Sequence, residues 1–188
     1  ASIVPSDKPY MKTSVIETWK KRMPWLLLLM ISATLTGSVL TTFEDALLAY
    51  GALIAYIPML MDTGGNAGGQ ASVTIIRGLS LNEIEFGDAF KVVFKEVRVA
   101  CLCGITLAAA NFLKLLLLDK VGIMVALVVC LTLVAAVIIA KLVGCTLPML
   151  AKKIGFDPAV MASPFITTIV DVLSLLVYFQ IATHLLHI

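Results

Sequence analysis

Five long apolar segments constrain this chain more than any other feature of its sequence. They run over about 24–43, from about 46 towards 77, and over about 97–118, 121–149 and 159–186. A helix needs about 20 mostly apolar residues to cross the hydrocarbon core of a bilayer. Because 60% of all residues are also hydrophobic, the sequence predicts an all-α integral membrane protein with five transmembrane helices.

The second segment leaves two conformations open. Between 46 and 76 it carries a single charge, Asp62, together with Pro58 and five glycines. One long, tilted helix fits this composition. A helix broken near its middle fits it too, because membrane proteins tolerate irregular backbone where neighbours or a cavity satisfy its polar groups.

Lysine and arginine are distributed unevenly between the predicted loops. Five precede the first span, four lie between the second and third, and three, including Lys141, lie at the end of the fourth span or after it. Only Lys114 and Lys120 fall on the other side. The positive-inside rule therefore predicts a cytoplasmic N-terminus and an external C-terminus.

This distribution divides the chain into two parts. Residues 1–23 are predicted to be a cytoplasmic segment with an amphipathic lead-in, and residues 24–188 a five-helix pore domain. Residues 78–96 mix acids, bases and aromatics, which predicts an amphipathic element at the cytoplasmic membrane surface. We expect a multi-pass protein of the cell membrane, in a bacterial inner membrane or a plasma membrane.

A carboxylate lies deep inside the last apolar segment, which otherwise carries no charge. A charge in hydrocarbon costs about 2.5–3.5 kcal/mol on insertion scales, so Asp171 is a functional candidate. Ser163 and Thr167 precede it at intervals of four residues, which places all three on one helix face. Pro164 lacks an N–H group and leaves the carbonyl of Val160 without its helical partner. Together these features predict a cation site along a path.

A second polar stripe lies in residues 58–70, which read PMLMDTGGNAGGQ. If this stretch is helical, Asp62, Asn66 and Gln70 also fall on one face. Both stripes consist of oxygen ligands without His or Cys, which disfavours zinc and copper. Because Mg²⁺ keeps several waters and needs only one or two carboxylates, so sparse a site favours Mg²⁺ over Ca²⁺.

The glycines of this stretch form two overlapping GxxxG patterns, Gly64 with Gly68 and Gly65 with Gly69. Such patterns let another backbone approach closely, so the stretch could serve helix packing alone. Packing alone does not explain why Asp62 and Asn66 stand beside the glycines.

The motif at 58–70, the run from Arg77 to Glu96, and DPAVMASPFITTIVD at 157–171 together resemble the membrane domain of the MgtE family of Mg²⁺ channels. The resemblance covers nearly the whole chain. It implies a homodimer whose pore lies between the subunits, with a partly hydrated Mg²⁺ held by Asp171 from each subunit. Asn66 and Gln70 match polar positions of the family's glycine-rich motif.

The sequence departs from the family pattern in several places. Ser163 stands where the family often has Asn, Asp62 where some members have no charge, and Gly69 where others have Asn. The family is usually preceded by an acidic helical domain and a CBS-pair domain that sense cytosolic Mg²⁺. We expect this chain to lack both sensor domains.

The leading interpretation is therefore a passive Mg²⁺ pore, with Mg²⁺ as transported ion and site ligand. The alternative is a Mg²⁺ exchanger coupled to Na⁺ or H⁺ that uses the same site, with Asp62 as the coupling carboxylate. An intramembrane enzyme is disfavoured because the chain has no GxGD motif and no membrane His beside a Ser. A purely structural subunit is a further, weaker alternative. The expected partners are Mg²⁺, the bilayer and a second copy, without nucleic acid.

Overall fold

The computed structural model describes residues 8–187, apart from the side chains of 161–163. In that part the chain is almost entirely helical and contains no strand, which confirms the all-α prediction. Six α-helices follow one another, accompanied by three short 3-10 turns: α1 (Val15–Thr42), α2 (Glu44–Ala49), α3 (Ile57–Ser80), α4 (Ala89–Leu117), α5 (Ile123–Lys153) and α6 (Pro158–Leu186).

Four helices in the described part are long and apolar enough to cross a membrane: α1, α4 with its preceding turn, α5, and residues Pro164–Leu186 of α6. The remaining predicted span, the second, contains α3, which has 24 residues, or about 36 Å of length. Its glycines and polar residues make it less apolar than the other four, so its crossing stays a prediction.

The second apolar segment is broken, but near its beginning rather than its middle. The short helix α2 ends at Ala49, a 3-10 turn covers Gly51–Tyr56, and α3 then runs without interruption to Ser80. Pro58 lies in the first turn of α3, where its missing N–H group costs no helical hydrogen bond. The whole glycine-rich motif is therefore regular helix.

The helix that contains the first predicted span begins at Val15, not at Pro24. Ser14 caps it by accepting a hydrogen bond from the backbone N–H of Glu17, at 3.2 Å. Such a cap satisfies one of the unpaired donors of a first turn. The amphipathic lead-in and the first apolar segment are consequently one continuous helix, with Pro24 in its interior.

Helix α5 forms the centre of the bundle and packs against α3, α4 and α6, whereas α1 packs mainly on α6. The largest core cluster lies at one end of the bundle, around Leu175, Tyr178 and Phe179 of α6. There the Tyr178 hydroxyl donates to the carbonyl oxygen of Leu53 at 2.8 Å. Phe43 stacks on Phe179 with ring centroids 4.7 Å apart. These contacts hold the broken start of the second segment against α6.

Glycines determine how closely α3 crosses its neighbours. A Cβ on Gly144 of α5 would overlap the carbonyl oxygen of Gly68, and one on Gly64 would lie 2.9 Å from Cγ1 of Val170 in α6. The pattern Gly64 with Gly68 therefore packs α3 inside this chain, as GxxxG patterns do. By contrast, a Cβ on Gly65 or Gly69 would meet nothing within 4 Å.

An ion pair lies inside the bundle between Lys141 of α5 and Glu96 of α4, with Nζ and Oε2 3.8 Å apart. Lys141 is only 6% exposed. The predicted orientation rests partly on Lys141, as a cation at the end of the fourth span. Its charge is compensated by Glu96 within the protein, so it carries no information about sidedness.

We expect the Gly144→Ala substitution to destabilise the bundle by about 1–3 kcal/mol, because its methyl group forces α3 and α5 apart. Thermal unfolding of the purified protein in detergent measures the loss. Gly37→Ala in α1 is the matched control, since a Cβ there meets nothing within 4 Å. Equal melting temperatures for the two variants would contradict the close crossing.

Removing Glu96 alone should destabilise the protein by about 3–5 kcal/mol, because Lys141 is then a buried charge without a partner. The double variant Glu96→Leu/Lys141→Met should recover most of that loss, since neither charge remains. Thermal unfolding of the Glu96→Ala and double variants tests this. A double variant no more stable than Glu96→Ala would show that the pair contributes in some other way.

Candidate metal site

The two predicted polar stripes meet in a groove between α3 and α6. A cavity of about 420 Å³ is lined by Met61, Asp62, Gly65, Asn66, Thr167 and Asp171. Its carboxylate, amide and hydroxyl oxygens come from two helices that are far apart in sequence. The structure thus brings together four of the six predicted site residues.

Helical periodicity explains why these side chains share the groove. Asp62 and Asn66 are four residues apart on α3, and so are Thr167 and Asp171 on α6. The opposite face of α3 is buried, with Gly64 and Gly68 against the neighbouring helices. The packing of the glycine face consequently directs the polar face of α3 towards the outside of the single chain.

Neither carboxylate of the groove is neutralised. Among the described residues, Asp62 and Asp171 form no ion pair, although Asp171 is half-buried. Glu96, which lies inside the bundle, is by contrast paired with Lys141. Two unpaired carboxylates on adjoining helices create a negative potential that attracts a cation.

Pro164, inside α6, orients a hydroxyl beside these carboxylates. The side chains of Thr167 and Thr168 both donate to the carbonyl oxygen of Pro164, at 3.1 and 2.9 Å. A hydroxyl oxygen that donates its hydrogen to the helix retains lone pairs. Thr167 therefore adds an oxygen acceptor to the wall of the groove.

Of the other two predicted site residues, Gln70 lies outside this cavity. Gln70 lines a second cavity of about 490 Å³ between α3, α4 and α5, together with Thr106 and Lys141. Asn66 lines both cavities. The side chain of Ser163 lies outside the described residues.

Two lining residues, Met61 and Gly65, were not among the predicted site residues. Gly65 follows Asp62 by three residues, and that spacing on one helix face was the available signal. Its missing side chain widens the groove between the carboxylates. In the part of the chain that the structure describes, no three His, Cys, Asp or Glu side chains come together, so one chain provides an open wall rather than a cage.

The profile of a family described as "MgtE: Divalent cation transporter" matches residues 57–181. The chain belongs to the MgtE family. It is 38% identical over 186 residues to the magnesium transporter MgtE of Thermus thermophilus, covering 96% of this chain and 40% of that protein. It is 34% identical over 171 residues to the magnesium transporter MgtE of Bacillus subtilis, covering 89% and 37%. The chain thus spans about two fifths of the length of the curated relatives it matches.

The family match confirms the resemblance that the motifs indicated. The matched region includes all of α3, α4 and α5 and most of α6, and hence the groove with both carboxylates. Together with its four apolar helices, membership of MgtE makes this a multi-pass membrane protein. The family consists of transporters, in agreement with the expectation that the chain is not an enzyme.

Substitutions in α3 should show whether Mg²⁺ binds in the groove or in the neighbouring cavity that Gln70 lines. We expect Asp62→Asn and Asn66→Ala to weaken Mg²⁺ binding, because they remove a charge and an oxygen from the groove. Gln70→Ala lies on the same helix face but outside this cavity, so it is the matched control. Calorimetric titration of folded protein with Mg²⁺ measures the affinities. If all three variants bind Mg²⁺ as tightly as the unsubstituted protein, α3 is not part of the site.

Proposed function

We propose that this MgtE chain transports Mg²⁺ across a bacterial cell membrane along the groove between α3 and α6. The observation that carries this proposal is the pair of unneutralised carboxylates, Asp62 and Asp171, on the two helices that line it. A charge within a membrane-spanning helix is costly unless it faces a partner, water or an ion. A transported cation supplies the missing compensation.

The chemistry of the groove supports Mg²⁺ as the cargo. Its donors are carboxylate, amide and hydroxyl oxygens, which suit hard cations. Two carboxylates from one chain leave most of the coordination shell to water, as Mg²⁺ prefers. The names of the relatives, magnesium transporters, agree with this choice.

The pore is proposed to form between two copies of the chain. In a single chain the groove is open to the outside, with Asp62, Asn66 and Thr167 exposed. Gly65 and Gly69 leave open space on the same face, where another backbone can approach closely. A second copy would close the groove, exclude lipid and place Asp171 from each subunit around one partly hydrated ion.

The same proposal accounts for α3 as a fifth transmembrane helix. Its polar face lowers its hydropathy, but in a dimer that face would line a water-filled path rather than meet lipid. Five crossings would put the two termini on opposite sides of the membrane, and we propose the N-terminus in the cytoplasm. The cations that remain after Lys141 is discounted still favour that orientation.

The second carboxylate, Asp62, favours a coupled exchanger as the alternative mode of transport. A single Asp171 per subunit would serve a passive pore, whereas Asp62 could carry a coupled Na⁺ or proton. Proteoliposomes loaded with a Mg²⁺ indicator distinguish the two modes when Na⁺ and pH gradients are imposed separately. Flux that follows the Mg²⁺ gradient alone identifies a pore, and flux driven by either other gradient identifies an exchanger.

Asp171→Asn should reduce Mg²⁺ flux in proteoliposomes by at least about tenfold. The variant loses the charged ligand, and a loss of about 1.4 kcal/mol of binding free energy already lowers the affinity for the ion tenfold. Asp157→Asn, at the N-cap of the same helix, is the matched control, since Asn caps a helix N-terminus as well as Asp does. Crosslinking should give the same dimer fraction for both variants. Flux at the unsubstituted level in Asp171→Asn would remove this residue from the path.

A further inference from the structure

A further cavity, of about 460 Å³, extends the groove between α3 and α6. It shares Gly65 and Thr167 with the cavity that holds the two carboxylates, so the two form one continuous channel wall. Beyond these shared residues, its described polar side chains are Ser72, Arg77 and Ser80. Arg77 is the only charged residue among the described ones that line it.

Arg77 marks one end of this wall. It follows Asp62 by 15 residues on the same helix, which corresponds to about 22 Å along the helix axis. Ala159, in the first turn of α6, lines the cavity at the same end. Lys152, at the end of α5, donates to the carbonyl oxygen of Leu79 at 2.8 Å. The cavity therefore opens at the lysine-rich side of the bundle.

The charge of Arg77 is not compensated by the rest of the described chain. Its side chain is exposed and forms no ion pair within residues 8–187. A guanidinium stays protonated at every physiological pH. The wall thus has two carboxylates at one end and a permanent positive charge at the other.

We propose that Arg77 is an electrostatic barrier at the cytoplasmic mouth of the ion path, which makes Mg²⁺ uptake faster than Mg²⁺ release. This inference rests on the proposed transport of Mg²⁺ along the α3–α6 groove. A fixed positive charge lowers the local concentration of cations within a Debye length, about 10 Å at 0.1 M salt. Ions that start from the cytoplasmic side are therefore depleted at the mouth, whereas ions that arrive from outside have already passed the carboxylates.

The charge can be removed without disturbing the helix end. The contacts that Arg77 makes in the last turn of α3 use its backbone carbonyl, which accepts from the Ser80 hydroxyl at 2.8 Å and from the Leu81 N–H at 3.0 Å. Both bonds survive a change of side chain. Substitution at this position consequently tests the charge rather than the fold.

Transport in the two directions is measured in right-side-out and inside-out membrane vesicles under equal Mg²⁺ gradients. We expect Arg77→Gln to raise transport from the cytoplasmic side about fivefold at low salt, since a divalent ion feels twice the repulsion of a monovalent one. Transport in the opposite direction should change little. The increase should shrink as monovalent salt rises, because salt screens the charge.

Two variants complete the design. Arg77→Lys keeps the charge and should behave like the unsubstituted protein. Arg98→Gln removes a guanidinium from α4, which lies against Phe94 and away from the groove, and should leave both directions unchanged. Equal transport from the cytoplasmic side in Arg77→Gln and the unsubstituted protein would overturn the proposal, as would an equal increase in Arg98→Gln.

The Asp171→Asn variant separates this inference from the proposed function. If Asp171→Asn stops transport while Arg77→Gln changes neither direction, the ion path stands and Arg77 is not its barrier. If Asp171→Asn transports Mg²⁺ normally, the groove is not the path, and the barrier proposal falls with it.

Discussion

The close crossing of α3 over α5 is the contact on which the site depends. Gly68 and Gly144 bring the two backbones together, and Gly64 seats α3 on α6 beside Val170. Because the glycine face of α3 is fixed inward, its polar face points out of the single chain. A larger residue at Gly144 would rotate or displace α3, and the carboxylate of Asp62 would move relative to Asp171. The packing of α3 therefore also sets the geometry of the candidate ion site.

The chain deals with intramembrane charge in two different ways. Lys141 and Glu96 face each other inside the bundle, so neither needs an outside partner. Asp62 and Asp171 have no such partner among the described residues, and both line an open groove. This contrast distinguishes a structural ion pair from the proposed cation site. It also gives the reason for proposing a second copy, since the negatively charged wall of one chain would otherwise face lipid.

Sequence patterns predicted the positions of side chains well where helical periodicity was strong. They predicted them poorly where a contact with another helix determined the position. The spacing of four residues placed Asp62 with Asn66 and Thr167 with Asp171, and both pairs do line one cavity. The same spacing placed Gln70 with them, yet the small rotation between successive turns of α3 brings it to the cavity beside Lys141. Lys141 itself was counted as an orienting cation at the end of the fourth span, because nothing local reveals that Glu96, on another helix, lies against it.

The sequence by itself determined the class of the protein, the positions of its apolar helices and the oxygen chemistry of its site, because each follows from composition and local period. Only the tertiary structure decided which GxxxG pattern packs inside the chain and which stays open. It also decided where the second segment breaks and that the groove continues from the carboxylates to Arg77. These features depend on contacts between α3, α5 and α6, whose residues are far apart along the chain, and no local pattern encodes such contacts.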